Sequence, residues 1–328
     1  MTAAKEALYY EKEGAACRCL LCPHACLIAD GKAGLCRARS AEGGRLYAVG
    51  YGAAASLALD PIEKKPLYRF HPGSRILSYG SYGCNMRCAW CQNASISQCP
   101  PPPDAPRLTP EELTRHAIAA AGISLEGQKQ DKRNRSLSPT PPTDAPRLAP
   151  DELTREAIAT VGNIGVAFTY NEPFVSPEFI LDTAPRLRAA GLATVLVTNA
   201  MVNEAPFADV LRHADAMNID LKGFSEGLYT RNGGSLDAVK RNIEAAATSP
   251  SCHIEITTLI VPEENDAQEE MQAEAEWIAS LNPEIPLHIT RFFPRYKTKT
   301  KNPTPIKTIE ALTSTAKQYL KHVYQGNI

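Results

Sequence analysis

The chain has 328 residues, 44% of them apolar, and a formal net charge of −1. That length buries roughly 75% of the surface the unfolded chain exposes, so the chain reads as globular, and its near-neutral balance gives no reason by itself to expect a polyanionic partner. The opening MTAAKEALYYEKEG lacks the basic and apolar regions of a signal peptide, and no run of eighteen apolar residues follows, so a cytoplasmic protein without a membrane partner is expected.

Cysteine use comes first along the chain. Of ten cysteines, five fall in residues 17–36, four in 84–99, and Cys252 stands alone. A secreted disulfide scaffold is normally short with its cysteines spread out, whereas clustering at CxxC-like spacing in an enzyme-sized chain points to metal in a reducing compartment. In CLLCPHACLIADGKAGLC, Cys19, Cys22, Cys26 and Cys36 are separated by two, three and nine residues, and Gly31 and Gly34 permit the tight turn a small site needs. Soft thiolates suit zinc or a [4Fe–4S] cluster equally. Residues 1–70 are therefore expected to form a cysteine-rich metal-binding appendage and residues 71–328 the main domain. Cys17 and Cys99 are expected to be free thiols.

From residue 76 onward, short β-rich runs alternate with helix-like stretches: ILSYGSYG (76–83), GVAFTY (165–170), ATVLVTN (193–199), AMNIDLK (216–222), HIEITTLIVP (253–262) and PLHITRF (286–292). Ser176 and Pro177 open one helix and Gly191 follows its end, as caps require. Apolar strands alternating with helices imply a parallel sheet with right-handed crossovers. Six units fit a partial (βα)6 TIM-like barrel, with a doubly wound open sheet as the alternative. In such barrels the loops after the strands converge on the C-terminal rim. That places Cys84, Cys88 and Cys91 after the first strand, Glu172 after the second, Asn199 at the end of the third, Asp220 and Lys222 at the fourth and Arg291 at the last.

GCNMRCAWCQN (83–93) holds three thiols, not four. Four thiolates saturate an Fe–S cluster, as electron-transfer and structural sites require, whereas three leave one iron open, and an open position is what lets a metal bind and activate a ligand. The alternative is a buried cysteine stripe at i, i+4, i+7 of a helix; Gly83 and Asn85 directly after a strand favour a loop.

At these residues the chain resembles the radical S-adenosylmethionine (SAM) superfamily, whose CxxxCx(aromatic)C motif is matched by Cys84, Cys88, Trp90 and Cys91. DPIEKKPLYRFHPGS, CQNASISQ, YNEP, VTNA, NIDLKGF, HIEITTLIVP and VYQGN further resemble the AmmeMemoRadiSam-system radical SAM enzymes, relatives of the pyruvate formate-lyase activating enzymes. The resemblance implies a [4Fe–4S] cluster on the three cysteines and SAM on the fourth iron. An external electron donor would drive reductive cleavage to a 5′-deoxyadenosyl radical. It also implies that Glu172 accepts hydrogen bonds from the SAM ammonium, that Asn199 lies on the ribose side and Trp90 against the adenine, and that Asp220 and Lys222 lie beside SAM, with Lys222 facing its carboxylate. His288 and Arg291 are further candidates. The substrate could be a protein, as for a glycyl-radical-enzyme activase, or an RNA, since RYKTKTK (295–301) and DKRNR (131–135) are cationic.

One repeat stands apart. DAPRLTPEELTRHAIAAAG (104–122) recurs at an offset of forty as DAPRLAPDELTREAIATVG (144–162). Both copies are expected to be helical, and only Thr109 can form a capping box with its glutamate. One crossover helix suffices between the cysteine loop and GVAFTY. Because copy two adjoins that strand, it is expected to dock, leaving 104–143 as an excursion whose polar SLEGQKQDKRNRSLSPTPPT remains flexible.

Overall fold

The computed structural model of the protein describes residues 5–123 and 162–328. At the N-terminus, β1 (Tyr10–Glu13) and β2 (Ala16–Cys19) pair antiparallel and β3 (Leu27–Ile28) extends the sheet from β2. A second hairpin joins β4 (Arg39–Glu42) to β5 (Arg45–Ala48) through Gly43 and Gly44, both at positive φ, the backbone a two-residue hairpin turn needs. Ala7, Leu21, Ile28, Ala41 and Leu46 close a small core between them.

The main sheet has eight strands: β6 (Ser56–Pro61), β7 (Arg75–Gly80), β8 (Asn163–Thr169), β9 (Ala193–Thr198), β10 (Ala216–Asp220), β11 (His253–Ile260), β12 (Leu287–Arg291) and β13 (Val323–Gly326). Strands β7 to β13 lie parallel in strict chain order, and β6 pairs antiparallel with β7 at one edge. All six strand runs legible in the sequence are strands. Helices α1 (Ala94–Ser97), α2 (Pro110–Ala120), α3 (Pro177–Ala189), α4 (Glu204–Leu211), α5 (Glu226–Arg231), α6 (Leu236–Ala247), α7 (Gln268–Leu281) and α8 (Ile306–Ala316) occupy the connections. Right-handed crossovers between strands in sequential order put every crossover helix on the same face. This is a singly wound topology, which a partial barrel requires and a doubly wound sheet lacks. The opposite face is covered by the segment after β6, where Ile62, Leu67 and Phe70 pack on Ile76, Ala167, Val195 and Ala216.

Two expectations meet a different arrangement. The division at residue 70 does not match the hydrogen bonding: β6 is a strand of the main sheet, and residues 62–70 pack against it, with Glu255 accepting from the backbone N–H groups of Tyr68 (3.0 Å) and Arg69 (2.7 Å). A compact unit built on the four N-terminal cysteines therefore ends before Ser56. The excursion at 104–143 also fails for its first part. The copy-one helix α2 is docked on β8 and α3: Leu113 and Ala117 are fully buried, Asn163 donates to the Ala117 carbonyl at 2.8 Å, and Glu111 pairs with Arg186. The capping box on Thr109 forms, and Arg107 donates to the carbonyls of Tyr51 (2.7 Å) and Val49 (3.0 Å), which stitches the segment to the chain before β6. Copy two has Ala149 at the cap position and so cannot make this box. Residues 124–161 of the second copy and the polar stretch, DKRNR included, lie outside the described residues.

Candidate functional site

The three cysteines lie on the loop after β7, from Ser81 to Asn93, with no helix across them. The helical-stripe alternative therefore does not apply. Asparagine side chains fix the loop. Asn171 accepts from Ser81 N–H (2.9 Å) and donates to the carbonyls of Tyr82 (3.2 Å) and Gly83 (3.1 Å). Asn85 donates to the Met201 carbonyl at 2.6 Å, and Asn93 to the Tyr170 carbonyl at 2.7 Å. Amides converge on the first sulfur: the Met86 backbone N–H lies 3.4 Å and the Asn199 Nδ2 3.6 Å from Cys84 Sγ. Such donors stabilise a thiolate and tune a cluster held by it.

Cys84, Cys88 and Cys91 are mutual electrostatic neighbours, and the Cys84 thiol is held well above its usual pKa, chiefly by burial and then by Glu172. Burial raises Cys88 to about 11, against the pull of Lys222. Thiols in this state must release protons to bind metal, so metal uptake is favoured by rising pH. Among the described residues no group of three or more His, Cys, Asp or Glu side chains is arranged to hold a single metal ion.

The strand-end residues named from the sequence gather at this rim. Glu172 is buried and its carboxylate accepts from Phe174 N–H (3.0 Å), Thr198 Oγ1 (2.7 Å) and Asn199 N–H (2.8 Å), so it clasps the end of β9 to that of β8. Three of about four lone-pair positions are used. Burial pushes this carboxyl up to about 7 despite those bonds. Lys222 pairs with Asp220 Oδ2; burial alone would lower its pKa, but Asp220 and the Cys88 and Cys91 sulfurs outweigh it and hold the ammonium charged. Asp220 Oδ1 is buried with no hydrogen-bond partner among the described residues. Trp90 is buried within the main hydrophobic core.

The other two candidates separate. His288 sits at the start of β12, near the opposite end of the sheet from the cysteines, where its Nε2 bonds Glu255 at 2.6 Å. Arg291 ends the same strand on the cysteine side and donates to the Thr304 carbonyl at 2.7 Å. Asn85 acts as the loop-former the sequence suggested, whereas sequence reasoning missed Asn171, although an asparagine beside a strand-end glutamate was legible as a turn-former. It also missed Tyr170 (φ +70°) and Ala200 (φ +52°), non-glycine residues in the left-handed region directly beside the site, where such strain commonly collects.

No family model matches the chain. It is 36% identical over 328 residues to the uncharacterized protein MJ0808 of Methanocaldococcus jannaschii, covering 99% of this chain and 85% of that protein. Streptococcus suis SuiB is similar in structure when bound to S-adenosylmethionine, with a TM-score of 0.51 and 12% identity over 77% of this chain and 52% of SuiB. The same protein bound to its precursor peptide SuiA gives 0.50 and 11% over 75% and 47%. The chain thus spans about half the length of SuiB. A radical SAM methyltransferase from Sphaerobacter thermophilus aligns with a TM-score of 0.49 and 14% identity over 78% of this chain and 67% of its own. Radical SAM enzymes are among the structural neighbours, and the likeness to SuiB is one of fold.

Proposed function

We propose that this chain, which belongs to the family of the uncharacterized protein MJ0808 of Methanocaldococcus jannaschii, is a radical SAM enzyme with a partial (βα)6 barrel, of the AmmeMemoRadiSam kind. The observation that carries the reading is the meeting of Cys84, Cys88 and Cys91 with Glu172, Asn199, Asp220 and Lys222 at one rim of a singly wound parallel sheet. The three thiolates would hold a [4Fe–4S] cluster and leave one iron for SAM. Bound there, the two groups supply a one-electron cleavage that releases methionine and a 5′-deoxyadenosyl radical for hydrogen abstraction, with the electron coming from an external donor.

The chain's own residues bind and orient. Asp220 Oδ1, the orphaned acceptor of the site, suits a SAM hydroxyl or ammonium, and Lys222 suits the SAM carboxylate. Glu172 keeps one lone-pair position; with its carboxyl titrating near 7, an arriving ammonium would favour its ionised form. Asn199 orients Cys84 and the cluster loop, and we assign it to the ribose side and Trp90 to the adenine.

A protein or peptide substrate fits this reading, and a glycyl-radical-enzyme activase is one form of it. One observation favours a second reading with an RNA substrate: the Lys297 N–H donates to the Ala89 carbonyl at 2.9 Å, which sets the basic 295–301 segment against the cluster loop. Exposed Arg295, Tyr296, Lys297 and Lys299 lie there. RNA affinity falling steeply with salt would support that reading.

The proposal is tested by anaerobic reconstitution with iron and sulfide. A reduced cluster spectrum that changes when SAM is added is expected, because SAM binds the open iron. A spectrum indifferent to saturating SAM would refute the reading.

A further inference from the structure

Cys19, Cys22, Cys26 and Cys36 line one cavity together with His24, Arg39 and Asn85. Burial raises the thiols of Cys22 to about 12 and of Cys36 to about 11; the sulfurs of Cys36, Cys19 and Cys26 act on Cys22, and those of Cys19 and Cys26 on Cys36. Arg39 is fully buried against them: Nη1 donates to Cys19 Sγ at 3.3 Å, and Nε has no partner among the described residues. Arg39, whose charge is also paired with the buried Glu178, keeps this spare Nε donor beside the four thiols.

The cavity abuts the cluster loop from two sides. Asn85, the residue after Cys84, is part of its wall, and His24 Nε2 lies 2.8 Å from the Asn85 carbonyl. On the other side of Cys84, the Cys36 carbonyl lies 2.3 Å from where a Cβ on Gly83 would stand. Cys26 is the member least buried. A metal site serving only to staple the appendage would have no need to touch the loop that holds Cys84.

We propose that the four N-terminal cysteines hold a second, fully thiolate-ligated Fe–S cluster that relays electrons to the cluster on Cys84, Cys88 and Cys91. This inference rests on the radical SAM reading. The electron balance is simple. A low-potential one-electron donor, such as a reduced flavoprotein, loses one electron to the N-terminal cluster, which passes it to the second site. From there it enters the C5′–S bond of SAM, which breaks to methionine and the 5′-deoxyadenosyl radical.

The full chain is reconstituted anaerobically as wild type, as Cys26→Ser, as Cys19→Ser and as the Cys84→Ala/Cys88→Ala/Cys91→Ala variant. Iron, sulfide and zinc are counted, and the reduced proteins are examined by electron paramagnetic resonance. Wild type should carry iron for two clusters with mutually broadened signals. Each variant should lose about half the iron and the broadening. SAM cleavage by Cys26→Ser should fall more than tenfold with reduced flavodoxin as donor and less than threefold with dithionite, which can reach the remaining cluster directly. Zinc at the N-terminal site, full iron in both serine variants, or equal losses with the two donors overturns the relay. Failure of the radical SAM reading looks different: the triple variant would keep the iron of the wild type.

Discussion

The carbonyl oxygen of Cys36 lies 2.3 Å from the position a Cβ on Gly83 would take, and Gly83 itself has φ +87°. The glycine before the first motif cysteine is thus required twice, by its backbone angle and by the close approach of another chain segment. Gly83→Ala should destabilise the protein by more than about 1 kcal/mol and displace Cys84. Iron retained after reconstitution should fall while the far-UV circular dichroism stays close to wild type. Full iron content in this variant would show that the loop tolerates the shift.

Arg39 and Glu178 form an ion pair in which both side chains are fully buried. Arg39 also donates to the Leu8 carbonyl at 2.7 Å, so the pair fastens the N-terminal hairpins to α3. Breaking such a pair from one side leaves a buried charge uncompensated, at a cost of about 3–5 kcal/mol. Arg39→Met should show that loss in urea unfolding, and Arg39→Met with Glu178→Met should recover most of it. A double variant as unstable as the single one would mean that packing, not charge, dominates.

Glu274 on α7 is buried. Its Oε1 accepts from Thr258 Oγ1 and its Oε2 has no partner among the described residues. Burial raises its carboxyl from 4.5 to about 8. Between those values the folded chain keeps a proton that the unfolded chain has released, so this contribution is complete below pH 4.5 and is lost as pH rises through 8. Glu274→Gln should gain on wild type from pH 5 to pH 8, by on the order of 3–4 kcal/mol given 1.36 kcal/mol per unit. Denaturant titrations at both pH values check this, and a difference that does not change with pH would contradict it.

Leu113, fully buried on α2, reports whether the first repeat copy is docked. Leu113→Ala should cost about 2–5 kcal/mol in chemical denaturation. A cost under about 0.5 kcal/mol, the range of surface substitutions, would return copy one to the excursion expected from sequence.

What was legible in the sequence was what short-range pattern encodes. Each of the six apolar runs is a strand, and Ser176–Pro177 and Thr109–Pro110 open helices. The strand-end position of Glu172, Asn199, Asp220 and Lys222 follows from the parallel sheet alone. Long-range pairing was not legible. The docking of copy one on β8 and α3, and the contacts of Arg107 with residues 49 and 51, join segments that no local pattern pairs. Strand β6 was missed because an antiparallel edge strand does not follow the β/α alternation. His288, a further candidate from the sequence, is carried by its strand to the other end, against Glu255.

The central claim is tested most directly by the products of SAM. Reconstituted wild-type protein, given SAM and dithionite under anaerobic conditions, should release 5′-deoxyadenosine and methionine in equal amounts, and the Cys84→Ala/Cys88→Ala/Cys91→Ala protein should release neither above the protein-free rate. Iron-loaded wild type that forms no 5′-deoxyadenosine, or a triple variant that forms as much as wild type, would contradict the account.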